Sequence, residues 1–289
     1  MRRSDGSTRR VAIKRMLPAL AERTEIIQLF QREVELSALM VHPNIVQVLD
    51  SGADEDGPFL VMEFVDGVPL SRMLSEARRR REPISPNACL CLAEQLLDAL
   101  VHVHSRVDRD GHALDLIHRD LNPPNLLVTR SGEVKLSDFG IAKGERMTAF
   151  TTTGIVRGKS SYAAPEQLFG GTLTQRVDLF AVGIVLAEMA LGDYPFPGET
   201  EREMTAAQLE GRVFEFDGER RGYPAGFERL VRSLLEPSPE KRCPSALQAL
   251  QLVRGMTWDP SAGRHELGRL VRGEALADQP TIPRARAVE

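Results

Sequence analysis

The order of apolar patterns along the chain predicts an α+β protein in which a strand-rich region precedes a larger helical one. Short β-branched or apolar runs, Val11-Ala12-Ile13, Ile45 to Leu49 and Phe59 to Phe64, crowd the first 65 residues. Long helical faces follow, from Leu90 through Val101 and from Leu179 through Ala187. Between those two faces lies the polar stretch Ile117-His118-Arg119-Asp120-Leu121-Asn122-Pro123-Pro124-Asn125, bounded by Leu116-Ile117 before and Leu126-Leu127-Val128 after. The bounding runs read as buried strands and the prolines force an irregular loop, which makes this a place for chemistry.

At 289 residues the chain has room for one large domain or two modest ones. Hydrophobic content of 42% and charged content of 27% are those of an ordinary soluble globular protein. A net charge of −4 and a pI near 6.0 give no electrostatic case for nucleic acid. Cys89, Cys91 and Cys243 lack metal-ligand spacing and suit free, buried thiols in a reducing cytosol. The basic N-terminus lacks the apolar run of a signal peptide, and the longest uncharged apolar stretch, Leu179 to Ala187, is too short to span a bilayer. The expectation is a cytoplasmic chain with no membrane segment.

Taken in order, Val11-Ala12-Ile13-Lys14 reads as a strand that offers its lysine to a cleft. A helix follows from about Thr24 to Met40, with Ile26, Phe30, Val34 and Leu36 among its apolar residues. At about 100° per residue, Glu33 lies about 60° from Phe30 and Glu35 about 140°, so Glu33 is the acid nearer the buried side. The turn-rich Ser51 to Pro58 joins the next two strands. Pro69 to Leu74 reads as a short helix and Arg78 to Arg81 as a solvated basic loop. Ser85-Pro86 starts the next helix, with Ser as N-cap and Pro in the first turn. His102 and His104 belong to the packing and C-terminal end of that helix, and Val107 to Gly111 is an exposed loop.

After Asn125 come a strand, a hairpin-like turn at Ser131-Gly132, the strand Val134-Lys135-Leu136, and Asp138-Phe139-Gly140. If the two strands pair, Asn125 and Asp138 return to the same end. An amide oxygen and a carboxylate, both hard oxygen ligands, can then share a magnesium ion bound mainly through substrate phosphates. Asp120 remains for proton work.

At this point the sequence resembles the protein kinase family, and within it the eukaryotic-like (Hanks-type) bacterial serine/threonine kinases. His118-Arg119-Asp120 with Asn125, then Asp138-Phe139-Gly140, then Ala164-Pro165-Glu166 stand in the family's order and spacing, downstream of a strand lysine. The resemblance covers about Val11 to Leu252. It implies a two-lobed protein-kinase fold: a small antiparallel-sheet N-lobe over residues 1–65, and a large helical C-lobe over 66–255 that holds the catalytic loop and activation segment. Asp66-Gly67 would be the hinge. It implies transfer of the γ-phosphoryl group of Mg-ATP to Ser or Thr hydroxyls of protein substrates in bacterial signalling.

By the same resemblance Asp120 orients and deprotonates the acceptor hydroxyl, Asn125 and Asp138 hold Mg2+, and Phe139 packs beside them to set activity. Lys14 pairs with the ATP phosphates and with Glu33. Ala12 lines the adenine pocket, Met62 is the gatekeeper, the backbones of Glu63 and Val65 bond the base, and Leu127 forms its floor. Asp178 hydrogen-bonds the catalytic-loop backbone, and Glu166 with Arg242 forms a buried ion pair.

The pattern is broken in two places. The glycine-rich hairpin that covers the ATP phosphates in this family is not found in the thirteen residues before Lys14. This leaves as an alternative a pseudokinase, or a truncated kinase-like interaction module, without catalysis. Within the catalytic loop, Asn122 stands where Ser/Thr kinases usually carry lysine, and Lys159 of the activation segment is expected to supply the cation near the γ-phosphate instead. The same segment offers Thr148, Thr151, Thr152 and Thr153 for autophosphorylation, with Arg119 to receive the phosphate. From about Met256 the composition shifts to Gly, Arg, Pro and Ala, so 256–289 is expected to be a flexible tail or linker with room for a short helix around His265 to Val271.

Overall fold

A computed structural model describes residues 8–16, 24–55, 57–80, 84–139, 160–215 and 217–273. Strands β1 (Val11–Arg15), β2 (Val48–Asp54) and β3 (Gly57–Glu63) form an antiparallel sheet in the order β1-β3-β2. Ala12 lies opposite Met62 and Lys14 opposite Leu60. Residues directly opposite one another share a face, so these four side chains point to one side of the sheet. Helix α1 (Thr24–Ala38) covers that side, where Phe30 is buried with Leu60 and Met16, and Ile26, Ile27, Val34 and Met62 pack around them.

The strand expected at Ile45 to Leu49 instead begins at Val48, because the residues before it bond elsewhere. The Val46 N–H donates to the Leu136 carbonyl (2.9 Å), and the Leu136 N–H donates to the Asn44 carbonyl (2.9 Å). The turn expected over Ser51 to Pro58 is narrower, since β2 runs to Asp54 and β3 starts at Gly57. Most of β2 is exposed, and an exposed strand needs no apolar alternation, so its composition imitates a turn.

A second antiparallel sheet, ordered β4-β5-β6, opens the large lobe with β4 (Gly67–Pro69), β5 (Leu126–Thr129) and β6 (Val134–Leu136). Helix α2 runs Leu70–Arg80, past the expected end at Leu74. Its buried residues, Leu70, Met73, Leu74 and Ala77, keep helical spacing for two turns and carry the helix onward. Arg78, Arg79 and Arg80 therefore form its last turn rather than a solvated loop: Arg78 reaches Glu188 (3.1 Å), while Arg79 and Arg80 pair with Glu76. Cations in that turn also suit the helix dipole.

Helix α3 (Pro86–His104) is capped by Ser85, whose Oγ accepts the Ala88 N–H (3.1 Å), with Pro86 in the first turn as expected. After α4 (Pro165–Phe169) comes α5 (Arg176–Leu191), buried continuously from Val177 to Ala190. Such a helix is apolar all round because neighbours surround it. Helices α6 (Glu201–Glu210), α7 (Phe227–Leu234) and α8 (Ala246–Arg254) complete the lobe. Cys89, Cys91 and Cys243 are free and buried. Among the described residues no helix is long and apolar enough to cross a membrane.

Arg242 is 2% exposed, yet every guanidinium N–H finds an oxygen. It bonds Glu166 in two-pronged fashion (2.7 and 3.1 Å) and donates to the carbonyls of Arg176, Glu236 and Pro237. The expected buried ion pair with Glu166 is thus present and fully satisfied.

The flexible tail expected from residue 256 is ordered as far as Gly273. Helix α9 (Pro260–Arg272) is capped by Asp259, which accepts the Ser261 and Ala262 N–H groups (2.9 and 3.0 Å), and it lies on α3 with Leu267 fully buried. Its glycines misled the composition argument because they serve close approach rather than flexibility. A Cβ on Gly263 would sit 2.3 Å from the Asn87 carbonyl oxygen, and one on Gly268 2.6 Å from that of Arg130. Residues 274–289 lie outside the described residues. We expect Gly263→Ala to push α9 off α3 and lower stability by about 1–3 kcal/mol, the usual cost of overpacking. Thermal unfolding measures this, and an unchanged Tm would show that the contact yields.

Candidate active site

The site begins with a buried carboxylate in the first turn of α5. Asp178 accepts the backbone N–H groups of His118 (2.8 Å) and Arg119 (2.9 Å) and takes a third bond from His104 Nε2 (2.9 Å). Burial pushes its carboxyl up, but the hydrogen bond and charge of His104 and the His118 N–H outweigh this and hold it below the usual range. So anchored, Arg119 can keep a left-handed backbone (φ 64°), which costs a non-glycine residue about 1–2 kcal/mol.

The His118 ring is wholly buried, with Nε2 bonded to the Ser137 carbonyl (3.1 Å) and Nδ1 accepting the Asp120 N–H (3.4 Å). Burial pushes its pKa down, and a neutral ring with one donor and one acceptor fits both bonds. The ring lies 4.8 Å from that of Phe139, which is buried against Met40, Ile45, Ala99 and Val103.

Asp120 follows, half-buried. Pro123–Asn125 forms a single 3-10 turn capped by Asn122, and the Asn125 Nδ2 donates to the Asp120 carbonyl (2.8 Å) and to its Oδ2 (3.2 Å). The β5–β6 register sets Leu126 opposite Leu136, so Asn125 and Asp138 return to the same end of the hairpin. Ser137 ties them together, its Oγ lying within hydrogen-bond reach of the Asn125 carbonyl (3.1 Å) and Asp138 Oδ2 (3.2 Å). Asp138 is also left-handed (φ 57°), and Lys14 Nζ meets its Oδ1 at 2.7 Å. Burial raises the Asp138 carboxyl, but the charge and hydrogen bond of Lys14, with help from Ser137, bring it below the usual range.

Ala12 and Met62 sit side by side on the sheet face that carries Lys14, and Leu127 lies opposite Lys135 on the other sheet. The backbone N–H of Glu63 donates to the Gln47 carbonyl (2.9 Å), so its expected bond to a base narrows to its carbonyl. The Val65 carbonyl accepts the Gly67 N–H (3.0 Å), which narrows Val65 to its N–H. Sequence reasoning missed the Glu63 side chain, whose Oε1 holds Lys135 Nζ (2.7 Å) and the Gln47 N–H (2.9 Å) and thereby joins the two sheets. It also missed Ser137; the one signal in the sequence for Lys135 and Ser137 was that they are polar within a buried hairpin. The Glu33 side chain, Gly140, Lys159, Thr148, Thr151, Thr152 and Thr153 lie outside the described residues.

A carboxyl whose pKa is lower folded than unfolded stabilises the fold above its unfolded value and loses that contribution as pH falls toward the folded one. Asp178 is such a group. Asp178→Asn, which sets an amide N–H₂ against backbone donors, should cost about 3–5 kcal/mol, as for breaking a buried ionic group's contacts. It should also flatten the acid side of the stability–pH curve. Denaturant unfolding from neutral pH down through the carboxylate range tests this; parallel curves for parent and variant would remove Asp178 from the account.

Residues 2–253 match the protein kinase domain family. The chain is 35% identical over 243 residues to "Tyrosine-protein kinase MasK" of Myxococcus xanthus, covering 84% of this chain and 38% of that protein. It is 32% identical over 238 residues to "Serine/threonine-protein kinase PrkC" of Bacillus subtilis (82% and 35%), and 31% identical over 239 residues to "Serine/threonine-protein kinase PknL" of Mycobacterium tuberculosis (83% and 57%). It thus spans 35% to 57% of the length of these relatives, and α9 lies beyond the matched residues. With the match running through both sheets and every helix from α1 to α7, the chain belongs to the protein kinase family.

Proposed function

We propose that the chain is an active protein serine/threonine kinase that uses ATP with magnesium to phosphorylate hydroxyl groups of protein substrates. The observation that carries this reading is the convergence of Lys14, Asp138, Asn125 and Asp120 through direct bonds or a shared serine. The Asn125 amide nitrogen is bonded to Asp120, so its oxygen is the end turned away; with the Asp138 carboxylate it makes the hard oxygen donor set that magnesium takes. Asn125 and Asp138 would hold the ion, which when bound neutralises phosphate charge. Lys14 stands ready to meet the phosphates, with Glu33 on α1 as its partner. Ala12, Met62, Leu127, the Glu63 carbonyl and the Val65 N–H receive the base. Asp120 orients the acceptor hydroxyl and takes its proton.

A module that binds partners without catalysis has no use for the left-handed backbone at Arg119 and Asp138, each of which costs on the order of 1–3 kcal/mol. For the acceptor, PrkC and PknL are named serine/threonine kinases, whereas MasK is named a tyrosine kinase. The latter name, with no lysine at position 122, sustains tyrosine as the second reading. We assign Thr148, Thr151, Thr152 or Thr153 as autophosphorylation sites and Lys159 as the cation near the γ-phosphate.

Asp120→Asn should lower kcat by about a hundred- to ten-thousandfold, the span of general-base catalysis, with ATP affinity nearly unchanged. Activity within about threefold of the parent, on the order of 0.7 kcal/mol of barrier, would exclude the assigned role. Phosphoamino-acid analysis of the labelled product decides between Ser/Thr and Tyr. Lys159→Ala should lower kcat by about ten- to a thousandfold, as for one lost transition-state contact, and a fully active variant would remove Lys159 from the site.

A further inference from the structure

We propose that Asn122 is a positioning residue that fixes the carboxylate of Asp120, rather than a mere gap where a lysine would stand. Asn122 is 5% exposed. Its Oδ1 accepts the Asn125 N–H (3.3 Å) and so caps the 3-10 turn. Its Nδ2 donates to the Asp120 carbonyl (2.9 Å) and to Asp120 Oδ1 (3.2 Å). Asn125 mirrors it, with Nδ2 on the same carbonyl (2.8 Å) and on Oδ2 (3.2 Å). Each carboxylate oxygen of Asp120 thus has its own amide donor, and the two amides clamp the group from both sides.

The chemistry of the side chain explains why an amide does this and a lysine cannot. A carboxamide is donor and acceptor at once, so one group can cap a turn and hold a carboxylate. An ammonium has only donors, so it cannot add a side-chain cap to the bond of 3.0 Å that the Asn125 N–H makes with the Asn122 carbonyl. Its four-carbon stem would also overfill a site this closed. The amide adds no charge, so what it contributes is direction. A carboxylate held in one rotamer keeps the acceptor hydroxyl in line for attack, and a displacement of about 1 Å in such a group can cost on the order of a hundredfold in rate.

This inference rests on Asp120 being the residue that orients the acceptor. Two variants separate positioning from capping. Asn122→Ser keeps a capping oxygen but is too short to clamp the carboxylate. Asn122→Asp also keeps a capping oxygen, yet sets a like charge against Asp120. We expect Tm close to the parent for Asn122→Ser, KM for ATP within about twofold, and kcat lower by about ten- to a hundredfold. Asn122→Asp should lose more. Either variant retaining the parent's kcat would overturn the proposal while leaving the site reading intact, provided Asp120→Asn is inactive beside it. A parent chain without transfer activity, or an active Asp120→Asn, would overturn both.

Discussion

The buried carboxylate of Asp178 is the constraint on which the rest of this structure depends. It takes the N–H groups of His118 and Arg119 and the ring of His104, so that α5, α3 and the loop that carries Asp120 meet on one group. A charge placed there is expensive to desolvate and is tolerable only because its oxygens are filled with donors. What the arrangement contributes is placement, since the two N–H groups that fill the carboxylate are those of the residues just before Asp120. Arg119 accepts its left-handed backbone because its own N–H is tied down, and from there the chain has one direction in which to present Asp120. Arg242 bonds the first turn of the same helix through the Arg176 carbonyl and ties it to α4 through Glu166.

Helix α5 carries a second acid near its far end. Glu188 is 6% exposed; it accepts the phenol of Tyr162, and Arg78 donates to it at 3.1 Å. Burial raises its carboxyl despite those two partners, the opposite outcome to Asp178, which has backbone donors as well. Tyr162 lies near the end of the stretch between Gly140 and Ala164 that was expected to be the activation segment, and Tyr194 donates to the Ser161 carbonyl beside it. One buried helix therefore supplies the loop before Asp120 with one acid and the turn at Ser160–Tyr162 with the other.

Short-range chemistry was well expressed in the sequence. The hairpin that returns Asp138 to Asn125 followed from two apolar runs and a Ser-Gly turn, and the cap of α3 followed from Ser85-Pro86. The pairing of Glu166 with Arg242 and the role of Asp178 came from family resemblance, because contacts over 76 and 60 positions leave no local trace. What stayed hidden was decided by tertiary contacts that override composition. Ile45 and Val46 have a strand's residues, but the bonds on either side of Ile45, from the Val46 N–H and to the Asn44 carbonyl, go to Leu136 of the large lobe, and the glycines of α9 look like a linker until the wall they abut is known. The Glu63–Lys135 pair joins two sheets that are adjacent only in the folded molecule.

The segment around Asn44 has a mechanical meaning. It belongs to the small lobe by position, yet the Asn44 amide is bonded to Gln95 of α3 (2.9 Å) and to the Val134 carbonyl (2.8 Å), and Val46 continues onto β6. Gln95 grips the hairpin as well, through the Gly132 carbonyl and the Val134 N–H. Among the described residues the strands β1 to β3 are fastened to the large lobe by this segment, by the Asp66-Gly67 crossing, and by the Glu63–Lys135 and Lys14–Asp138 pairs. A rotation of the sheet that leaves the segment and the crossing in place twists a few torsions there but must part the two ion pairs. Such a movement is that of a door with two hinges and two latches, and the latches are side chains of the site itself.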